Sequence, residues 1–278
     1  MAHGYCVANA FSGLSSSAFS ESTAPSNTAT RAYYNDGRLG RVVVAASSVT
    51  SQEWMVALTG ATSLVGVALL NHNLYSLDPT ATVSVVAADD SGFSSGVVTA
   101  KSASPLPSAM SDRKDLVLAF PAVNKRYWKI AASWSVAGKP SAGELFGIAS
   151  ITSLSRFGAW GSGEAKEVVV ASQRTQSGDL RVSALGGPIH ERRYSFADWS
   201  AAELQELEAL WYATRGPVTP LLWIDSVDAA SSSAATVDDM RCVYGRIQDA
   251  RFEWTQDDFG IFQPPGMVIQ SRGREMGA

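Results

Sequence analysis

Histidine and cysteine are scarce in this chain, with three of one and two of the other among 278 residues. Cys6 and Cys242 stand far apart and match neither a zinc spacing nor a redox dithiol, so they are expected to be reduced structural thiols in a reducing cytoplasm. His3, His72 and His190 are too scattered to suggest a metal cluster. Charge is also sparse: only 17% of residues are Asp, Glu, Lys or Arg, where about 25% is usual. No basic stripe is present, which argues against sequence-independent phosphate or nucleic-acid binding. No run approaches the ~20 apolar residues that span a bilayer. The first residues lack a basic region followed by an apolar run, so no signal peptide is expected.

Ser, Ala, Gly and Val fill the space that charge leaves, a composition suited to short strands and many turns. The apolar fraction of 46% marks a globular chain. The formal net charge of −4 is uneven: residues 1–150 hold 10 basic and 9 acidic side chains, residues 151–278 hold 12 and 17. A chain of this length suits two domains.

Residues 1–30, rich in Ser, Ala and Thr, read as an extended or disordered N-terminal arm. If the arm orders against a neighbour, Tyr5, Phe11, Leu14 and Phe19 are its anchors. Residues 31–155 read as a β-sandwich. Trp54 to Leu58 leads into Leu64 to Leu70, a run apolar on both faces, as in a strand buried in mid-sandwich. Asn71-His72-Asn73 breaks it. Thr82 to Val85 alternates, Asp89-Asp90-Ser91-Gly92 turns and Val97 to Thr99 returns. Leu116 to Leu118 and Arg126 to Ile130 supply two further strands, with Trp134 and Val136 close behind. Residues 156–165 form a Gly/Ser-rich linker in which Trp160 is suspected of docking to a neighbour.

Residues 166–278 carry a second set of strands and one helix. Ser200 is a good N-cap and Glu203 completes a capping box. Leu204, Leu207, Leu210 and Trp211 make the apolar stripe, and Gly216-Pro217 ends the helix. The helix is therefore expected at 201–214. Leu221 to Ile224 reads as a buried strand, followed by a Ser/Ala loop and strands at Arg241 to Tyr244, Ala250 to Trp254 and Met267 to Ile269.

Two resemblances follow from these segments. LVGVALLNHNL, VSVVAADDSG and FPAVNKRYWKI, in that order, resemble the core of galactose-binding-like, discoidin-type jelly rolls. The stretch from Tyr194 to Asp225, with the strands around it, resembles the tail-tube-like domains of minor, distal tail or baseplate-ring proteins of long, non-contractile phage tails. Together they imply a mainly β chain: an N-terminal jelly-roll sandwich, then a tail-tube-like β-barrel domain with one flanking α-helix. The function they imply is a structural virion protein of a tail tip. It would be assembled in the host cytoplasm and closed into a six-membered ring by self-association, between the tail tube and other tail-tip proteins. The alternative they leave open is a carbohydrate- or receptor-binding tail protein that engages a host-surface glycan through the jelly roll.

No catalytic, cofactor-binding or metal site is expected. Gly92-Phe93-Ser94-Ser95-Gly96 fits the letter of a hydrolase elbow, yet it follows a turn and precedes a β-branched strand instead of joining strand to helix. Asp89-Asp90 and Asp257-Asp258 read as turn residues rather than a calcium loop. Gly158 to Gly163 lacks the spacing and the flanking elements of a dinucleotide fingerprint. His72 is either a loop hydrogen-bonder or a polar contact on a lectin-like rim. The helix cap is directly testable: Ser200→Ala is expected to cost ~1 kcal/mol in thermal or urea denaturation.

Overall fold

The computed structural model describes residues 2–36, 41–106, 115–155, 163–167, 170–174, 180–184, 189–196, 198–227, 242–248, 251–256, 262–263 and 266–270. The chain divides into two compact units. Unit 1 comprises Met1–Arg38, Val42–Ser153 and Trp223–Cys242; unit 2 comprises Leu39–Arg41, Leu154–Leu222 and Val243–Ala278.

Unit 1 contains β1 (Ala2–Cys6), β2 (Phe19–Glu21), β3 (Val43–Val44), β4 (Val49–Leu70), β5 (Thr82–Ala88), β6 (Val98–Pro105), β7 (Asp115–Gly138), β8 (Ser141–Ala142), β9 (Glu144–Ile148) and β10 (Thr152–Ser153). The short helix α1 (Leu74–Leu77) follows β4, and a 3-10 helix spans Thr28–Asn35. The main sheet has the order β2–β4–β7–β5–β6, with β9 also paired to β4.

The expected pairs of short strands turn out to be two very long ones. β4 runs unbroken through 22 residues and β7 through 24, antiparallel to each other. Register shifts fall between Ala57 and Thr62 and between Leu64 and Gly66. Such bulges twist and bend a strand without ending its ladder. One hydrophobic cluster collects side chains from both halves: Trp54, Val56, Trp128 and Ile130 from one, Leu64, Leu69, Leu116 and Leu118 from the other. The bend thus folds the ladder over a single core, giving the sandwich. Asn71 ends β4 in a left-handed conformation, φ 51°, as a short polar residue can.

The N-terminal segment packs on its own sandwich. Phe11 is fully buried, and Phe19 and Tyr5 nearly so. Asn9 is the clasp: its amide donates to the Leu145 carbonyl and to Glu144 Oε1, both at 3.1 Å. Its Oδ1 accepts the Phe11 and Gly147 amides, both at 2.9 Å. A Cβ on Gly147 would stand 2.7 Å from the Phe11 ring, so the glycine makes room for it. β1 lies between β10 and β15 (Leu221–Val227).

In unit 2, β11 (Gly163–Glu167), β14 (Ile189–Tyr194) and β19 (Met267–Gln270) pair in sequence, and β19 also pairs β16 (Cys242–Ile247). β12 (Val170–Arg174) and β13 (Leu180–Ala184) form a separate hairpin, as do β17 (Thr255–Gln256) and β18 (Phe262–Gln263). The expected tail-tube-like β-barrel is corrected here. Among the described residues β11 pairs only with β14, so the sheet ends in an edge and does not close on itself. A barrel requires first and last strands to bond.

The helix α2 spans Ala201–Thr214, as expected. Ser200 accepts the Glu203 amide, and the Glu203 carboxylate accepts the Ser200 amide at 2.7 Å, completing the capping box. Leu204, Leu207 and Leu210 are buried, with Trp211 half-buried. The left-handed stop begins one residue early: Arg215 has φ 53° and Gly216 φ 60°. The strand expected at Ala250 to Trp254 is absent from the described residues 251–254. There Phe252 turns toward Trp211, at 6.3 Å between rings, while Trp254 is exposed.

Deleting the N-terminal anchor tests this packing. Phe11→Ala leaves a ring-sized hole under β9 and is expected to destabilise the protein by about 3–5 kcal/mol in chemical denaturation.

Candidate functional site

β7 alternates strictly where it runs between β4 and β5. Trp128, Ile130 and Ala132 point into the core, and each is at most 3% exposed. Lys125, Tyr127 and Lys129 stand on the opposite face, half-buried. Period-two geometry spaces them by roughly 7 Å along the strand. Their side chains make one surface with the β5–β6 turn, which curls over it.

Lys129 Nζ lies 3.0 Å from Glu53 Oε1 on β4 and 4.9 Å from the centre of the Phe93 ring in the turn. The ammonium is therefore fixed by an ion pair and by the ring quadrupole. Lys125 Nζ lies 2.8 Å from Asp89 Oδ2 at the end of β5. Tyr127 sits between the two pairs, with Arg126 Cζ 5.1 Å from its ring centre. Its register partners are Ala57 and Ala88, so neither flank carries a large side chain.

Asp90 builds the turn. Its carboxylate accepts the amides of Gly92 at 3.0 Å, Ser94 at 3.1 Å and Ser95 at 2.6 Å, and the Ser94 hydroxyl at 3.0 Å. The Ser95 amide foremost, with the Ser94 and Gly92 donors, holds this carboxyl below its ordinary range against the opposing effect of burial, so it stays ionised. Phe93 takes a left-handed conformation, φ 52°, which places its ring over Lys129. Gly96 is also left-handed, φ 58°, and a Cβ there would meet Asp89 Oδ2 at 1.8 Å and Lys125 Nζ at 2.8 Å.

The surface therefore offers two aromatic rings and two preformed cation–carboxylate pairs, with positive and negative groups in near balance. It presents donors and acceptors to a ligand with many hydroxyls and apolar C–H faces. It has no excess of positive charge for a phosphate polymer.

Other residues singled out by sequence fall elsewhere. Ser94 is engaged by Asp90 in an exposed turn, which is no strand-to-helix elbow. His72 is 2% exposed, and its Nδ1 accepts the Leu74 amide at 3.2 Å; it is a loop hydrogen-bonder and not a rim contact. Cys6 and Cys242 are buried and not joined in a disulfide, and burial pushes the Cys6 thiol up to about 11, which keeps it unreactive. Trp54, Trp128 and Trp223 are core residues. Trp160, Asp257-Asp258 and the glycines from 158 to 162 lie outside the described residues, as do the side chains of His3 and His190. Among the described residues no group of three or more His, Cys, Asp or Glu side chains is placed to hold a metal ion. No described helix is long and apolar enough to cross a membrane.

Unit 2 has an open apolar cleft lined by Leu207, Leu210, Trp211, Ile247, Phe252 and Met267. Arg251, which also lines it, is paired with Glu253.

No protein-family model matches the chain, and no curated protein matches it. Solved structures do. A chitosan-binding module from a chitosanase/glucanase of Paenibacillus sp. IK-5 is 16% identical, the match covering 51% of this chain and 98% of that chain with a TM-score of 0.39. A carbohydrate-binding module from a family 31 glycoside hydrolase of Clostridium perfringens is 15% identical, covering 49% and 94% with a TM-score of 0.37. A Clostridium perfringens module in complex with GalNAc-β-1,3-galactose is 14% identical, covering 48% and 97% with a TM-score of 0.38. Each likeness extends over about half of the chain and assigns it no ligand.

These neighbours are carbohydrate-binding modules, not components of a phage tail. The expectation of a distal tail or baseplate-ring protein is corrected, because the tube-like barrel it rested on is an open sheet among the described residues; its hexameric ring and tail-tube partner lose their basis with it.

The turn is the testable part of this geometry. Gly96→Ala forces a Cβ into the Asp89–Lys125 pair and a left-handed conformation on alanine, a cost of roughly 1–2 kcal/mol from the backbone alone. Denaturation should register that loss, and the amide resonances of residues 89–96 should move.

Proposed function

We propose that this chain is a non-catalytic carbohydrate-binding protein and that its sandwich unit holds a glycan on the outer face of β7. The single observation that carries the reading is the stripe Lys125, Tyr127, Lys129. Core burial of Trp128 and Ile130 turns the stripe outward, and Glu53, Asp89 and Phe93 complete it.

Binding of a neutral polyol at such a place has a plain physical basis. A pyranose has an apolar C–H face that packs on an aromatic ring, and equatorial hydroxyls that both donate and accept. Each ion pair on this surface offers a donor and an acceptor already held in place, which lowers the ordering cost of binding. The β5–β6 turn is stiffened by the four donors on Asp90, so Phe93 is positioned before a ligand arrives. No nucleophile, general base and acid converge on this surface, so hydrolysis is not part of the reading.

Titration of the full chain against a panel of oligosaccharides tests it. Saturable binding is expected to at least one glycan. Tyr127→Ala is expected to weaken it about tenfold, the worth of one aromatic contact of about 1.4 kcal/mol, with the thermal midpoint checked in parallel. Tyr212→Ala, an exposed aromatic on α2 far from the stripe in sequence and in the other unit, serves as the control. Failure to bind any glycan, or equal loss in both variants, would overturn the reading.

A further inference from the structure

Arg126 differs from the two lysines near it. Lys125 and Lys129 are each committed to a carboxylate, whereas among the described residues no carboxylate pairs with Arg126. It is exposed, yet it is held at two points. Its Nε donates to the Leu58 carbonyl at 3.0 Å, and its Cζ stands 5.1 Å from the centre of the Tyr127 ring. A guanidinium carries several N–H donors and no acceptor, so the bond to Leu58 leaves the Nη fork uncommitted. A planar fork fixed in this way loses little freedom when a ligand arrives.

The surroundings of Arg126 also show where the surface is open. Ala57 pairs with Tyr127 and Thr62 with Lys125, so β4 bulges from Leu58 to Ala61 opposite Arg126 alone. Thr59, Gly60 and Ala61 are exposed there, and a Cβ on Gly60 would meet nothing within 4 Å. On the other flank of Tyr127, Ala88 is fully buried, so no ligand lies on β5 at that level. We infer that Arg126 is a further glycan-binding residue: its Nη fork takes two neighbouring hydroxyl oxygens of a sugar at Tyr127, and the bound chain leaves over the β4 bulge at Gly60. This inference rests on the glycan-binding assignment and adds to it a contact and a direction. Lys125, Arg126 and Lys129 are matched in charge by Glu53, Asp89 and the ionised Asp90, so the surface has no surplus to hold a free anion. Two hydroxyls on adjacent ring carbons present acceptors side by side, as the fork requires, and bring no charge. A lysine ammonium is a point charge and could not hold both in that geometry.

Tetrasaccharides of β-1,4-linked glucose, xylose and galactose, titrated into the full chain, test the inference. Arg126→Lys keeps the charge and removes the fork, and should weaken binding of the tightest of the three about tenfold. Gly60→Leu adds bulk where the fold leaves open space, so the thermal midpoint should hold while affinity falls by a similar factor. The Nη–H resonances of Arg126 should shift and exchange more slowly on saturation, a signature that merely bracing Tyr127 would not produce. Unchanged affinity in either variant would overturn the inference while leaving glycan binding intact. So would displacement of the tetrasaccharide by an equal concentration of inorganic sulfate. Binding of none of the three, nor of any other glycan in the panel, would instead overturn the assignment beneath it.

Discussion

The register of β7 against β4 and β5 governs both the core and the candidate site. Side chains on a strand alternate between faces, and a slip of one residue would exchange the two sets completely. Trp128, Ile130 and Ala132 must be inside, packed with Trp54, Val56 and Val85. Each buried large side chain stabilises the fold by about 1.5–3 kcal/mol, so no other register competes. Lys125, Tyr127 and Lys129 then have only the outer face left. The candidate surface is thus the complement of the core, written into the same stretch of β7.

The β5–β6 turn completes that surface through chemistry of its own. Asp90 gathers three amides and a hydroxyl, which closes the turn tightly enough to set Phe93 over Lys129. Gly96 is needed because any Cβ would occupy the space of the Asp89–Lys125 pair. Turn and strand therefore depend on each other: the strand supplies the lysines, and the turn supplies the ring and one of the carboxylates that fix them.

Local features were legible in the sequence, and long-range ones were not. The span of α2 and its capping box follow from Ser200, Glu203 and Gly216, all within a few residues of what they satisfy. The both-face burial of Leu64 to Leu70 and the stop at Asn71 were equally local. The fusion of two apparent strands into β4, and again into β7, was hidden because a bulge leaves the same polar gap in sequence as a turn. The barrel expectation failed for a related reason: closure depends on which edges meet, and neither edge announces its partner. A strand–capped helix–strand signature fixes local structure, and it carries no function with it. The stripe itself was visible as Lys125-x-Tyr127-x-Lys129 interleaved with Trp128-x-Ile130. What makes it a candidate site, the turn folding over it from residues 89–96, is a tertiary fact. Of the two readings open for His72, loop hydrogen-bonder or rim contact, the geometry matches the first: it is buried and braces the loop before α1.

Chemical-shift mapping of the full chain with a bound oligosaccharide tests the central claim most directly. The account predicts perturbations concentrated at residues 53–57, 88–96 and 125–129, with the amides of unit 2 unmoved. Saturable binding whose perturbations fall instead on α2 and its apolar cleft, or on the loop around His72, would contradict it.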